Sequence, residues 1–350
     1  REAARLGPGR YLMRAGVELF ARRWWAGGYG VPGRILSAAA MPLSWAWTVL
    51  ARSAGERAAD RAVRVEGLTV ASVGNLAVGG TGKTPVVSWL TERLRRAGRQ
   101  PGILVGGHAP DEAALHASRL PDVPVLEGRD RVASAREAAR RGCGVAVLDD
   151  GFQHRRLQRD LDVVLLAAED PFPAPVLPAG PYREGVGGLR RADAVLVTRR
   201  SADVASSRDL AGRVERVAPG LVVGGVHLAP AGWRELGGRS TDAPPGDVLA
   251  VCAVGRPGAF RSSVEKTTSG SVELVAFADH HVYTPADLAG LEHRAGRRSI
   301  VTTEKDAVKL RRLSGTPGRM YVLTEEVRWD WGEHDFLSRL NDLGVRAGAE

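Results

Sequence analysis

Cysteine is nearly absent: the 350 residues hold two, Cys143 and Cys252, each inside or beside an apolar run. That is too few for a disulfide framework and fits reduced core thiols in a cytosolic protein. Lysine is scarce as well, with only Lys83, Lys266, Lys305 and Lys309 among 49 basic residues. The arginine bias has the look of a GC-rich genome, and a lysine kept at position 83 then points to a need for a compact ammonium. No internal repeat or long low-complexity segment is visible. The uncharged run Ile35–Ala51 covers 17 residues and is interrupted by Pro42, short of the roughly 20 apolar residues of a spanning helix.

What is present is the composition of a globular protein, 44% apolar and 25% charged, long enough for two domains with real cores. The net charge of +9 suggests an anionic partner: nucleic acid, acidic lipid head groups or a phosphorylated substrate. The bland alternative is a surface made basic by composition alone. No nucleic-acid-binding module is recognisable, so nucleic acid is not expected as a partner.

Residues 1–66 differ from the rest. Tyr11–Trp25 mixes apolar residues with arginines and the pair Trp24-Trp25, and Ile35–Ala51 carries Trp45 and Trp47 between Arg34 and Arg52. Tryptophans and flanking arginines favour a membrane–water interface, which predicts a monotopic element lying in the membrane surface. The competing reading is an ordinary helix with its tryptophans buried. The segment is not read as a cleaved leader. The chain starts at Arg1 rather than at methionine, and the expectation is a start inside a longer reading frame.

Between 67 and 200, strand-like runs (Thr69–Val73, Pro101–Val105, Val123–Leu126, Gly144–Leu148, Leu161–Ala167, Ala194–Thr198) alternate with helical patterns at Val86–Ala97 and Arg131–Arg141. This predicts an α/β fold with a parallel sheet covered on both faces. The same grammar restarts over 201–350, at Leu221–Leu228, Asp247–Val254, Val272–Phe277, Ser299–Thr303 and Met320–Leu323, and predicts a second, smaller α/β domain. Arg328–Glu350 reads as a closing amphipathic helix.

The first strand runs into Gly79-Gly80-Thr81-Gly82-Lys83-Thr84 and then a helix. This is the layout of a phosphate-binding loop. Backbone N–H groups cradle phosphates, Lys83 reaches the β/γ oxygens, and Thr84 holds Mg²⁺. The strict motif wants glycine six residues before the lysine, where this chain has Ala77. Val145-Ala-Val-Leu-Asp149-Asp150 is a buried strand ending in carboxylates, the usual companion of such a loop, where an aspartate orients the Mg²⁺ shell. A glycine-rich turn with a solvated lysine and a polar turn after a strand are the non-functional readings of the two.

Five segments then resemble the tetraacyldisaccharide 4′-kinases, the lipid A 4′-kinases. They are Gly74-Asn75 with Gly79–Pro85; Asp149-Asp150-Gly151-Phe152-Gln153-His154; Leu177-Pro-Ala-Gly-Pro-Tyr182-Arg183-Glu184; Phe277-Ala-Asp-His280-His281-Val-Tyr283; and Thr302-Thr-Glu-Lys305-Asp306. In that family the first loop glycine is often absent, so Ala77 ceases to be an anomaly. The resemblance implies a P-loop NTPase-like domain that moves the ATP γ-phosphoryl group, with Mg²⁺, to the 4′-hydroxyl of a tetraacyldisaccharide 1-phosphate. The product is the tetraacylated lipid A precursor, formed at the cytoplasmic face of the bacterial inner membrane. It implies Asp111 as general base with His280 behind it, and Lys83 and Asp150 at the transferring phosphate. It further implies Thr84, Asp149, Asp150 and Glu184 around the metal, and Asn75, Glu112, Arg129, Arg131, Gln153, His154 and Arg183 at the substrate. Family members usually carry Ser-Arg-Gly-Tyr-Gly and a longer loop before the base. Here Gly106-Gly107-His108-Ala109-Pro110 reaches Asp111 at once, and Arg129 and Arg131 resemble the arginines that face the phosphates. Taken without the resemblance, Asp279-His280-His281 could be half of a metal site or a surface turn. The rival readings of the whole chain are another P-loop small-molecule kinase or ATPase, and a catalytically degenerate nucleotide-binding protein at a membrane surface.

Overall fold

The apolar runs become strands. A computed structural model describes residues 20–21, 23–25, 27–107, 110–279, 281–313 and 318–346. The chain divides into two units, one made of Leu43–Leu177, Tyr182–Ala229 and Glu326–Glu350, the other of Arg1–Pro42, Pro178–Pro181 and Pro230–Glu325. This division differs from a cut at 200/201: α/β alternation repeats along the whole chain, so the pattern alone cannot say which strands share a core.

The first unit carries β1 (Thr69–Asn75), α2 (Lys83–Arg96), β2 (Pro101–Gly106), α3 (Pro110–Arg119), β3 (Val125–Gly128), α4 (Arg131–Arg140), β4 (Val145–Asp149), β5 (Leu161–Ala167), β6 (Ala194–Arg199), α5 (Val204–Val217) and the start of β7 (Val222–Glu235). Its strands run in the order β3-β2-β4-β1-β5-β6-β7, and their pairings are parallel. Every residue of β1, β4 and β5 is buried, as continuous apolar runs in a sheet covered on both faces require. Helix α2 buries Val86, Val87, Leu90 and Leu94, the 3.6-residue stripe its sequence promises. These pack with Ile103, Val147 and Leu165 from the strands. Helix α4 starts where the Asp130 carboxylate accepts the N–H groups of Val132 and Ala133 at 2.9 and 3.2 Å, satisfying two donors that a helix start leaves open.

The second unit holds β8 (Ser240–Thr241), β9 (Val248–Cys252), α6 (Pro257–Glu265), β10 (Val272–Ala276), α7 (Pro285–Ala295), β11 (Ser299–Thr303), α8 (Glu304–Leu310) and the start of β12 (Met320–Trp331). Strands β10, β9, β11 and β12 are neighbours in that order, all parallel. Leu249, Val251, Leu288, Ile300 and Val322 make its core. Cys143 and Cys252 are buried free thiols.

At the C-terminus the chain stays extended through Trp331 and turns helical only at α9 (Glu333–Arg346). The expected helix from 328 is therefore too long. Trp329 lies 5.5 Å from Trp89 and 5.4 Å from Phe336, ring centre to ring centre. That aromatic cluster holds residue 329 on a strand, and Gly332 at φ 78° makes the break before the helix.

Near the N-terminus, α1 (Gly30–Ala59) is one helix continuing through Pro42, although a proline there removes a backbone hydrogen bond. Its least exposed side is a stripe of small residues that includes Gly33, Ala40 and Ser44. The large apolar side chains point the other way: Val31, Ile35, Leu43, Trp45 and Leu50 are each more than 60% exposed. The alternative of buried tryptophans does not describe this helix. Among the described residues, no helix is long and apolar enough to cross a membrane.

Candidate active site

The glycine-rich loop leaves the C-terminal end of β1, the centre of the first unit's sheet, where ligands of open α/β sheets bind. Gly74 is needed for close approach, because a Cβ there would stand 2.5 Å from the Phe152 Cβ. Gly82 is left-handed at φ 88°, and a Cβ would meet Leu228 at 2.1 Å; it caps α2, whose first two residues are Lys83 and Thr84. Gly79 also has positive φ, at 134°, while the exposed Gly80 has open space around it. Thr81 is buried, and its carbonyl accepts the Thr198 hydroxyl at 2.9 Å. Ala77 forms an antiparallel bridge to Tyr182 and does not have positive φ, so glycine's freedom is not used there.

Lys83 does not wave in solvent. Its Nζ sits 3.5 Å from both Asn75 Oδ1 and Asp150 Oδ1. The pairing of Val73 with Asp149 brings the strand-end carboxylates beside this loop. Asp150 has φ 56°, the only positive value at a non-glycine among the described residues, a conformation aspartate tolerates better than most. The two carboxylates diverge. Asp150 Oδ2 accepts Arg183 at 2.9 Å, whereas the buried Asp149 receives His116 Nε2 at 2.8 Å on Oδ2. Burial works to raise the Asp150 carboxyl, but the Lys83 and Arg183 charges outweigh it and hold it below the ordinary carboxylate value.

Arg183 reaches the loop because the segment around Tyr182 is stitched to it, the Arg183 N–H donating to the Leu76 carbonyl at 2.7 Å. From there a polar chain continues. Arg183 also donates to Gln153 Oε1 at 3.3 Å, and Gln153 Nε2 donates to the Asn75 carbonyl at 2.9 Å and to Glu184 Oε1 at 3.1 Å. Glu184 Oε2 accepts Arg191 at 2.8 Å, and the Arg191 guanidinium lies 4.7 Å over the Phe152 ring. Asn75, Lys83, Asp150, Gln153, Arg183 and Glu184 thus form one network.

Asp111 is buried in the first turn of α3, with the half-buried Glu112 beside it. Arg131 is buried and donates to the carbonyls of Val105, at 2.9 Å, and Gly128. Its burial lowers the guanidinium's affinity for its proton, against the pull of Asp149, Asp150 and Glu112. Arg131 is therefore pinned to the sheet, while Arg129 is exposed and its stem fills the space beside Gly107. Burial, then the Arg131 charge, depresses His154 and favours its neutral ring. His280 lies outside the described residues. In the second unit, Asp279 accepts Lys305 at 3.4 Å, joining the two motifs expected there, and His281 pairs with Asp287 of α7 at 3.1 Å.

Sequence reasoning passed over His116, Ser88 and Arg191. Nothing local marks them: a lone histidine in an amphipathic helix is ordinarily core, and the partner of His116 is 33 residues away. Asp149 Oδ1 and Asn75 Nδ2 are buried without a hydrogen-bond partner, and buried polar atoms of this kind call for one. Among the described residues, no group of three or more His, Cys, Asp or Glu forms a protein-only metal cage. Two carboxylates beside a phosphate loop still fit Mg²⁺, which takes one or two carboxylates plus phosphate oxygens and waters.

Fold and loop together define a P-loop kinase-like α/β protein. The sequence model of the family described as tetraacyldisaccharide-1-P 4′-kinase matches residues 36–110 and 107–344. The seam between the two matches falls at the shortened stretch before Asp111. Curated relatives called tetraacyldisaccharide 4′-kinase include one from Anaeromyxobacter sp. (strain Fw109-5), 36% identical over 95% of this chain and 98% of its own. Another, from Halorhodospira halophila, is 36% identical over 72% and 77%, and one from Aromatoleum aromaticum is 39% identical over 77% and 83%. The crystal structure of the "apo" form of LpxK from Aquifex aeolicus in complex with ATP shares the fold, with a TM-score of 0.68 at 24% identity, over 88% of this chain and 99% of that one. The chain belongs to the tetraacyldisaccharide-1-P 4′-kinase family.

Proposed function

We propose that the protein transfers the γ-phosphoryl group of ATP to the 4′-hydroxyl of a tetraacyldisaccharide 1-phosphate, giving the tetraacylated precursor of lipid A. The observation that carries this reading is Lys83 held between Asn75 and Asp150 at the start of α2, in a chain of this family. Phosphoryl transfer requires positioning and charge neutralisation more than covalent chemistry. The loop N–H groups and the α2 N-terminus receive the phosphates, and Lys83 and Arg183 supply positive charge. Thr84, Asp149 and Asp150 would hold Mg²⁺, which would neutralise negative charge on the phosphates.

The acceptor hydroxyl is a poor nucleophile, and a base adds about 10²–10⁴-fold. Asp111, buried at the head of α3, takes that role. Glu184, tied to Gln153 and Arg191, acts through that network on the loop, and Arg129, exposed at the edge of the first unit, meets the anionic substrate. The outward apolar side chains of α1 seat the protein on the cytoplasmic face of the inner membrane, where a lipid substrate resides. Phosphorylation of the disaccharide in detergent micelles tests the reading.

A further inference from the structure

We infer that His116 is a positioning residue, which locks the metal-side aspartate, the phosphate-loop helix and the helix of the proposed base into one register. The inference rests on the reading above for what Asp149 and Asp111 do. Its geometry is independent of that reading. The His116 ring is fully buried. Its Nε2 lies 2.8 Å from Asp149 Oδ2 and its Nδ1 3.2 Å from Ser88 Oγ. One ring therefore touches the tip of β4 and the middle of α2 while belonging to α3, five residues beyond Asp111.

A carboxylate only accepts, so Nε2 carries a hydrogen and donates it to Asp149, while the Ser88 hydroxyl, which can donate or accept, meets Nδ1. The ring is then satisfied at both ends, the arrangement by which a second residue fixes a ligand's orientation. Asp149 has one oxygen taken and the other, Oδ1, buried and unpartnered. Holding Oδ2 fixes where Oδ1 points, and an unpaired buried carboxylate oxygen is costly unless something binds it. The Arg131 guanidinium also acts on Asp149. Without His116, the carboxylate is free to turn toward it.

The test is Mn²⁺ binding in the presence of ADP, read from the free Mn²⁺ signal in electron paramagnetic resonance, beside kcat and KM for the micellar disaccharide. His116→Leu should weaken Mn²⁺ about 10–100-fold and lower kcat by a similar factor, leaving KM for the disaccharide unchanged. His116→Gln, whose amide nitrogen reaches the place of Nε2, should recover most of the loss. Wild-type Mn²⁺ affinity and kcat in a folded His116→Leu protein would overturn the inference. Should that variant not fold, His116→Gln against His116→Asn decides, because asparagine reaches Ser88 but not Asp149. Only the asparagine variant should lose Mn²⁺ affinity, and equal affinities overturn the inference. A wild-type protein that binds Mn²⁺ and nucleotide yet phosphorylates no disaccharide would contradict the proposed function instead.

Discussion

Lys83 and Asp150 face each other at 3.5 Å at the mouth of the glycine-rich loop. In the proposed mechanism this ammonium, ion-paired with Asp150, meets the transferring phosphate. Replacing Lys83 by alanine or methionine should lower kcat on the order of 10²–10³-fold while far-ultraviolet circular dichroism stays unchanged. Initial rates with ATP and micellar disaccharide check this. A variant within a few fold of wild type would remove Lys83 from the transferring phosphate.

In the proposed mechanism Asp111 serves a different step. Asp111→Ala should cost about 10²–10⁴-fold in kcat and leave ATP affinity nearly intact, since the base touches the acceptor and not the nucleotide. Equilibrium titration with a fluorescent ATP analogue separates the two effects. A normal rate in Asp111→Ala would remove it as the base, and the shortened stretch before it makes this the informative variant.

Stability should depend on pH through Glu169. Its carboxylate accepts the N–H groups of Arg200, Ser201 and Ala202 at 2.7, 3.0 and 3.2 Å. Burial works to raise its pKa, but those bonds outweigh it and hold it below the ordinary glutamate value. A depressed folded value means stabilisation that is present above the unfolded value, about 4.3, and lost as pH falls through the folded one. Glu169→Gln should therefore lower unfolding free energy at pH 7 by about 1.5–3 kcal/mol. The gap to wild type should close in acid. Urea melts across that range measure it, and a gap independent of pH would contradict the assignment.

Helix α1 makes a prediction about location. Trp45 and Leu50 are 73% and 64% exposed, so Trp45→Glu with Leu50→Glu should change stability little, about 0.5 kcal/mol or less for each. Co-sedimentation with anionic liposomes should fall sharply. Unchanged sedimentation would mean that this surface does not seat the protein on a membrane.

The legibility of the molecule followed the range of its interactions. β1, the loop and α2 were readable because strand, glycines and helix are contiguous, and β4 because an apolar run ends in two aspartates. Helix α3 was not read, since it is only ten residues long and opens at Pro110 after a glycine-rich stretch. The extension of β12 to Trp331 was missed because the rings that hold it, Trp89 and Phe336, come from other elements. The same reason hid His116: sequence shows a carboxylate pair but not which carboxylate a distant ring will take. The left-handed backbone at Asp150, which sends neighbouring carboxylates to different partners, also leaves no local mark.

The most direct test of the central claim is transfer of radiolabelled γ-phosphate from ATP to a tetraacyldisaccharide 1-phosphate in mixed micelles. The full-length protein should form a labelled lipid product in the presence of Mg²⁺, with label on the 4′-oxygen and little product from Lys83→Ala. No labelled lipid from folded wild-type protein, under conditions where an Anaeromyxobacter relative is active, would contradict it.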